Sequence, residues 1–351
     1  MKIAVLCSGG VDSSVALMRL VEKGGHDLTA VYLKIWLEDE MAFLGSCPWE
    51  EDLEIVRAVC DTAGVPLEVF SLQREYLSTV VVYALSELEA GHTPSPDVMC
   101  NRMIKFGAVV DHAGQRFDRF ASGHHARIEE REGLFHLLRG KDPKKDQSYF
   151  LSQLRQQQLA SCLFPIGELT KAEVREEARR YGLVNAQRPD SQGICFLGRV
   201  PFDDFVRHHL GDRPGEIRRA STGKVLGRHR GTWFHTIGQR RGLGLGGGPW
   251  YVVGKDLDHG VVLVAHADEL ADYARRTFRI AEPHWIANPP QRRDLEVKIR
   301  HGERLERCTI SHDGDGSMTV TFRSTADPGV APGQFAALYD GEECLGGGVI
   351  A

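Results

Sequence analysis

Residues 3–18 limit the fold more tightly than any other stretch. The apolar run at residues 3–6 ends in Ser8-Gly9-Gly10, and an apolar-periodic segment restarts at Val11, with Val11, Val15 and Met18 on one helical face. This predicts a buried strand, a tight glycine turn and a helix. Without Cβ atoms, Gly9 and Gly10 let the backbone turn sharply and come close to a ligand. The amides of residues 9–13 then open onto the positive end of the helix, a ready anion site. Ser8, Ser13 and Ser14 add hydroxyl donors, and Asp12 adds a carboxylate suited to recruiting a metal ion. Two glycines and three serines in one turn point to phosphate binding. The turn lacks the lysine that follows the last glycine of a Walker A loop, and it does not match G-x-G-x-x-G.

Strand and helix signals keep alternating after it. Residues 28–36 (LTAVYLKIW) read as a second buried strand, 51–63 as a helix, 66–72 (PLEVFSL) as a third strand and 74–89 as another helix. Such alternation implies a parallel sheet covered on both faces. Ligands bind at the carboxyl ends of its strands. Leu33 and Ala121-Ser122-Gly123, after strand-like residues 119–120, are therefore expected to face the same crevice as the glycine turn.

The loop Gly91-His92-Thr93-Pro94-Ser95-Pro96 is stiff, because each proline restricts the residue before it. It predicts a helix starting near Arg102, with Cys100 at its N-terminus, where the dipole, Arg102 and Lys105 favour a thiolate. Asp97 is placed to cap that helix or to act as an acid/base group. The competing reading of Cys100 is a buried small hydrophobe, but its place between P-S-P-D and N-R-x-I-K favours reactivity. Residues 126–138 predict a hairpin around Arg131-Glu132-Gly133. In the polar loop at 139–148, Lys144, Lys145 and Gln147 either hold phosphates or bases or are simply solvated. Thr170-Lys171-Ala172-Glu173 is a capping box, opening a helix to about Tyr181 with Gly182 as its stop and a structural role. Cys195 lies in the apolar run of DSQGICFL (190–197) beside Gly193, and the residues alone leave burial and sulfur carriage both open.

A chain of 351 residues has room for two or three domains, and 42% hydrophobic residues supply a sizeable core. No window approaches a membrane span, and the chain begins directly in a strand, so no signal or transit segment is expected. The eight cysteines, Cys47 among them, are scattered without a C-x-x-C pair. That argues against a zinc ribbon, an iron–sulfur site or a disulfide framework and fits free thiols in the cytoplasm.

The net charge of −5 hides an asymmetry: Lys plus Arg against Asp plus Glu is 23 to 28 over residues 1–200 and 20 to 20 over 201–351. Within the second part, Arg213, Arg218, Arg219, Lys224, Arg228, Arg230, Arg240 and Arg241 face only Glu216. Such a stripe in an acidic protein suits a polyanion or a solvated, loop-rich surface. Strand–helix alternation stops near Phe205, and Thr236-Ile237-Gly238-Gln239-Arg240-Arg241-Gly242 suits contacts to nucleic acid phosphates. Short alternating runs at 295–300, 307–311, 318–322, 335–339 and 345–350 then predict a small β-barrel of five strands.

SGGVDSS resembles the PP-loop of the ATP pyrophosphatases, which split ATP into AMP and pyrophosphate to adenylate a substrate. TPSPDVMCNRMIKFG, ASGHHAR, KDQSYFLS, DSQGICFLG, HTIGQRRGLGL and the terminal PGQ with CLGGG follow it in order. Together they resemble the tRNA-specific 2-thiouridylases, which replace the C2 oxygen of the wobble uridine with sulfur. The resemblance implies an α/β PP-loop (adenine nucleotide alpha hydrolase-like) parallel-sheet domain at 1–204, a small central tRNA-binding domain at 205–275 and a C-terminal β-barrel at 276–351. It implies ATP binding by Leu6, Cys7, Ser8, Gly9, Gly10, Val11, Asp12, Ser13, Leu33 and Gly123, with Mg²⁺ arriving with ATP and held at most by Asp12. Cys100 is implied as nucleophile and Cys195 as persulfide carrier, the two forming a transient disulfide, with Asp97 as acid/base group. Ser95, Pro96 and Asp97 match the target-base segment. His124, Lys145, Asp146, Gln147, Arg300, His301 and Gln334 match tRNA-contacting positions. The chain departs from the family pattern at Cys7, Leu33, Ser95 and His301, and residues 38–51 are divergent and carry no assigned role. The implied partners are tRNA and a persulfide donor protein or cysteine desulfurase, with no membrane. A PP-loop ligase acting on a small molecule would share SGGVDSS but leave the two cysteines and the basic stripe without purpose.

Overall fold

The computed structural model describes residues 1–35, 48–190 and 201–351. Its first sheet joins β1 (Lys2–Leu6), β2 (Asp27–Lys34), β3 (Leu67–Ser71), β4 (Arg119–Ser122) and β7 (Cys162–Leu163), all parallel, in the order β3-β2-β1-β4-β7. The covering helices are α1 (Val11–Lys23), α2 (Pro48–Ala63), α3 (73–89), α4 (96–113) and α5 (Lys171–Arg180). Because side chains alternate across a strand, Ile3 and Val5 of β1 pack with Leu17, Val56 and Val174 on one face. Ala4 and Leu6 pack with Tyr76, Val80 and Ile104 on the other. Each buried Leu or Val there contributes about 1.5–3 kcal/mol. Strand order reverses between β1 and β4, so the ligand crevice falls at their carboxyl ends.

The predicted hairpin forms as β5 (Ala126–Arg131) and β6 (Leu134–Arg139), with Glu132 and Gly133 at positive φ in the turn. It leaves the parallel sheet and joins a far later one. After α6 (Phe202–Leu210), the strands β8 (Gly215–Arg219), β9 (Val225–His229), β10 (Trp250–Asp256) and β11 (Val261–His266) form a small sheet over Ile217, Val252 and Val264. The last sheet comprises β12 (Thr277–Ile280), β13 (His284–Trp285), β14 (Asp294–Lys298), β15 (Glu306–His312), β16 (Met318–Phe322), β17 (Phe335–Asp340) and β18 (Glu343–Val349). A bridge between Ile280 and Ile350 closes β12 onto the end of β18, giving the barrel. All five strands expected from the alternation are present. β12 and β13 are additional, and β6 pairs with β18 at Leu138–Glu343 and Leu137–Cys344.

One element starts earlier than its sequence suggests. Helix α4 begins at Pro96, not near Arg102. Proline restricts the residue before it but is itself well placed at the first helical position; Ser95 stays outside the helix with φ −121° and ψ 73°. Over Cys100–Ala108 the helix widens to π winding, and Gln158 Nε2 donates to the carbonyls of Arg102 and Phe106, both at 2.7 Å. Among the described residues no helix is long and apolar enough to cross a membrane.

Candidate functional site

The glycine turn closes on its own hydroxyls. Gly9 has φ +76°, and extended Gly10 leads into α1. Ser13 Oγ donates to Gly10 O at 3.0 Å and accepts from Ser8 N at 3.2 Å, and Ser14 Oγ also donates to Gly10 O at 3.0 Å. The first intrahelical bond runs from Ser14 N to Gly10 O, leaving the α1 amides before it without an intrahelical acceptor. Leu6, Cys7 and Val11 bury their side chains in the two cores and offer the site only backbone. Burial pushes the Cys7 thiol far up, so it stays protonated. Gly123 lies beside this turn because it has no Cβ: one would fall 2.5 Å from Ser13 N and 2.6 Å from the Asp12 carbonyl carbon. Leu33 lies one residue before the end of β2 on the other flank.

A charged cluster surrounds the mouth of the turn. Lys171 Nζ lies 2.7 Å and 2.9 Å from the Asp12 carboxylate and 2.8 Å from Asp190 Oδ1. Asp190 also binds Lys145 at 2.7 Å and Arg175 at 2.9 Å. Burial alone would raise both carboxyls, but His125 and then Lys171 hold Asp12 below the usual carboxylate range, and Lys145 and Lys171 bring Asp190 to about 2. Behind the turn, Asn185 Nδ2 donates to Gly9 O at 2.8 Å and to Ser14 Oγ at 2.9 Å, while Arg188 ties Gly9 O to Asp52. Asp12 suits Mg²⁺, which one or two carboxylates hold together with substrate phosphates. Among the described residues no group of three or more His, Cys, Asp or Glu is placed to hold a metal.

A second site opens away from the turn, a cavity of about 440 Å³ lined by helices and loops from all three parts of the chain. It gathers Ser95, Pro96 and Asp97 with Arg300, His301 and Gln334, and adds Phe150, Trp233, Phe234 and Gln239. The segment at 145–150 runs between the two sites. Lys145 faces the charged cluster, Gln147 Oε1 accepts from His125 N at 2.9 Å, and Tyr149 and Phe150 line the cavity.

Two expected tRNA contacts sit elsewhere. Asp146 has a fully buried side chain, paired at 2.8 Å with the equally buried Lys298. Its acceptors stabilise the join to the barrel, and a carboxylate is in any case a poor partner for phosphate. His124 is also buried; its Nδ1 lies 2.7 Å from Ser122 Oγ, and its ring packs between Phe106 and Phe164. Burial, then Lys105 and His125, holds it well below its ordinary pKa and therefore neutral.

Cys100 is 1% exposed and one turn inside α4, so the dipole argument made for it belongs to Pro96 and Asp97 instead. Asp97 lies in the first helical turn, with Ser95 at the cap position. Cys195, Gly193 and Cys47 lie outside the described residues.

In the basic stripe, Arg218, Arg219 and Arg230 pair with Glu216, Glu269 and Asp203. Lys224, Arg228, Arg240 and Arg241 are exposed, with no carboxylate in ion-pair range among the described residues. Sequence reasoning missed Lys171, Asp190, Asn185 and Arg188. Lys171 was detectable: a cation at the first position of a helix opposes the dipole and calls for a reason.

Known proteins resemble this chain along its whole length. Residues 1–199 match a family model described as the tRNA methyl transferase HUP domain, residues 203–266 the tRNA methyl transferase PRC-barrel domain, and residues 275–350 the aminomethyltransferase beta-barrel domain. The tRNA-specific 2-thiouridylase MnmA 2 of Bacteroides fragilis is 44% identical, covering 100% of each chain. The tRNA-specific 2-thiouridylase MnmA of Parabacteroides distasonis is 42% identical over 100% of this chain and 99% of its own. Among solved structures, a U34-tRNA thiolase of Methanococcus maripaludis covers 60% of this chain and 67% of its own at 17% identity, with a TM-score of 0.36, too slight to carry an argument.

Proposed function

This chain belongs to the tRNA-specific 2-thiouridylase family, and on that footing we propose that it thiolates the wobble uridine of tRNA by adenylating the base and delivering sulfur from a cysteine persulfide. It is a tRNA sulfurtransferase whose first domain is of the ATP-using PP-loop kind. The observation that most supports the reading is the cavity joining Ser95, Pro96 and Asp97 to Arg300, His301 and Gln334, linked by residues 145–150 to the glycine turn.

The uridine C2 carbonyl has no good leaving group, so its oxygen must first be activated. The wobble base turns out of the anticodon stack into the cavity. Its O2 attacks the α-phosphate of ATP: the O2–P bond forms, the bond to the β-phosphate breaks, and pyrophosphate carries the electron pair away. Asp97, in the same cavity, takes the N3 proton. The turn amides and the Ser8 hydroxyl bind phosphate oxygens, and Asp12 would hold Mg²⁺, which supplies charge neutralisation.

Sulfur arrives on Cys195 as a persulfide from a donor protein or cysteine desulfurase. In the direct route its terminal sulfur attacks C2 and AMP leaves. The Cys100 thiolate then attacks Cys195 Sγ, and the released pair stays on the sulfur now bound to C2. In the other route Cys100 first frees hydrosulfide, which attacks C2. Both leave a Cys100–Cys195 disulfide that a thiol reductant reopens. Ser95 and Pro96 shape the base site. Arg300, His301, Gln334, Lys145 and Gln147 serve tRNA binding, and the domains divide near residues 204 and 275.

The test is pyrophosphate release assayed with tRNA or with small acids. Release that depends on tRNA and is lost in Asp12→Ala, with tRNA binding retained, supports the reading. Release driven by a small acid replaces it with a ligase.

A further inference from the structure

Lys171 and His125 stand at the glycine turn without a task in the mechanism above. The turn itself, SGGVDSS, contains no cation. Lys171 opens α5 at the helix end where a cation is unfavourable, yet its Nζ bridges Asp12 and Asp190 at 2.7–2.9 Å. Asp190 does not depend on it, because Lys145 and Arg175 bind the same carboxylate. His125 is 1% exposed, and neither ring nitrogen has a hydrogen-bond partner among the described residues. Its Nε2 points into the cluster, 3.5 Å from Asp12 Oδ1. A buried imidazole held only by this long contact to Asp12 is under-satisfied, and a ligand that accepts from it recovers that cost.

We infer that Lys171 and His125 form the wall that binds the β- and γ-phosphates of ATP, with Lys171 passing its ammonium from Asp12 to the phosphate oxygens as the nucleotide enters. The inference rests on the ATP-dependent adenylation proposed above. No charge is stranded in the exchange, because Lys171 keeps Asp190 while Asp12 would be free to hold Mg²⁺. When the bond between the α- and β-phosphates breaks, negative charge grows on the pyrophosphate, at oxygens held by Lys171 Nζ and His125 Nε2.

The full-length protein carrying Lys171→Met, Lys171→Arg or His125→Asn is titrated separately with ATP, pyrophosphate and AMP, and its melting temperature and tRNA binding are measured. Lys171→Met weakens ATP and pyrophosphate roughly 10- to 100-fold, the size of a lost charge-assisted hydrogen bond. AMP, which lacks both phosphates, and tRNA bind as before. Lys171→Arg recovers part of the loss, and His125→Asn weakens pyrophosphate by about tenfold. Equal weakening of AMP, or pyrophosphate binding unchanged in Lys171→Met, overturns the inference and leaves the two residues as a structural lock. Absence of tRNA-dependent pyrophosphate release in the wild-type protein defeats the proposed function instead, and the titrations still decide this inference.

Discussion

Phe150, on the segment that runs between the two sites, and His301, from the barrel, stack with ring centroids 5.5 Å apart and planes 29° apart at the shared cavity. The pair joins the two halves of the proposed base site across a domain boundary. An unstacked uridine gains about 1–3 kcal/mol from such a face. Phe150→Ala is therefore expected to lower kcat/KM for tRNA thiolation by about 10-fold or more while leaving ATP titrations unchanged. An unaltered kcat/KM would remove the aromatic pair from the base site.

Gly123→Ala tests the close approach at the nucleotide turn. Its new Cβ would fall 2.5 Å from Ser13 N, against backbone that cannot yield easily. Overpacking of this kind costs about 1–3 kcal/mol, so thermal unfolding moves down and ATP affinity falls with it. Normal values for both would mean that the crevice is looser than it looks.

The buried Asp146–Lys298 pair predicts a pH effect with a definite sign. Burial alone raises the Asp146 carboxyl, but Lys298 and Ser148 prevail and hold it below the usual range. A depressed carboxyl stabilises the fold above its unfolded pKa of about 3.9 and loses that contribution as pH falls through the folded value. Acid denaturation of the wild-type protein steepens below about pH 4 on this account. Lys298→Met leaves the buried carboxylate with only the longer 3.4 Å contact from Arg139 Nε and costs up to about 3–5 kcal/mol at neutral pH. The acid slope flattens in that variant, and chemical denaturation across pH 3–7 reads both effects.

Arg240 and Arg241 are exposed and without a carboxylate partner among the described residues, so they are available to phosphate. Replacing both with Ala should reduce the slope of log K for tRNA against log salt by about 1–2, as fewer counterions are released. An unchanged slope would assign the stripe to another role.

Local signals carried most of the fold. β1, the glycine turn and α1 follow from an apolar run, two Cβ-free residues and a 3.6-residue period, and the Thr170–Glu173 capping box forms as written. Contacts between distant segments were not legible. Nothing near residues 126–139 says that β6 will pair with β18, more than two hundred residues later. The family resemblance groups Lys145, Asp146 and Gln147, but the backbone turns them to an ion cluster, a buried lysine and a peptide amide in turn. Pro94 and Pro96 both read as helix breakers in the sequence, but Pro96 begins α4 and moves Cys100 into its interior.

The central claim is that Cys195 carries the sulfur which reaches the adenylated uridine. Nucleoside mass spectrometry of tRNA from a strain lacking the gene, complemented with wild-type or Cys195→Ser protein, tests it directly. The account predicts 2-thiouridine with the wild-type protein and almost none with the variant, while tRNA-dependent pyrophosphate release by purified Cys195→Ser protein persists. Normal 2-thiouridine with Cys195→Ser would contradict it.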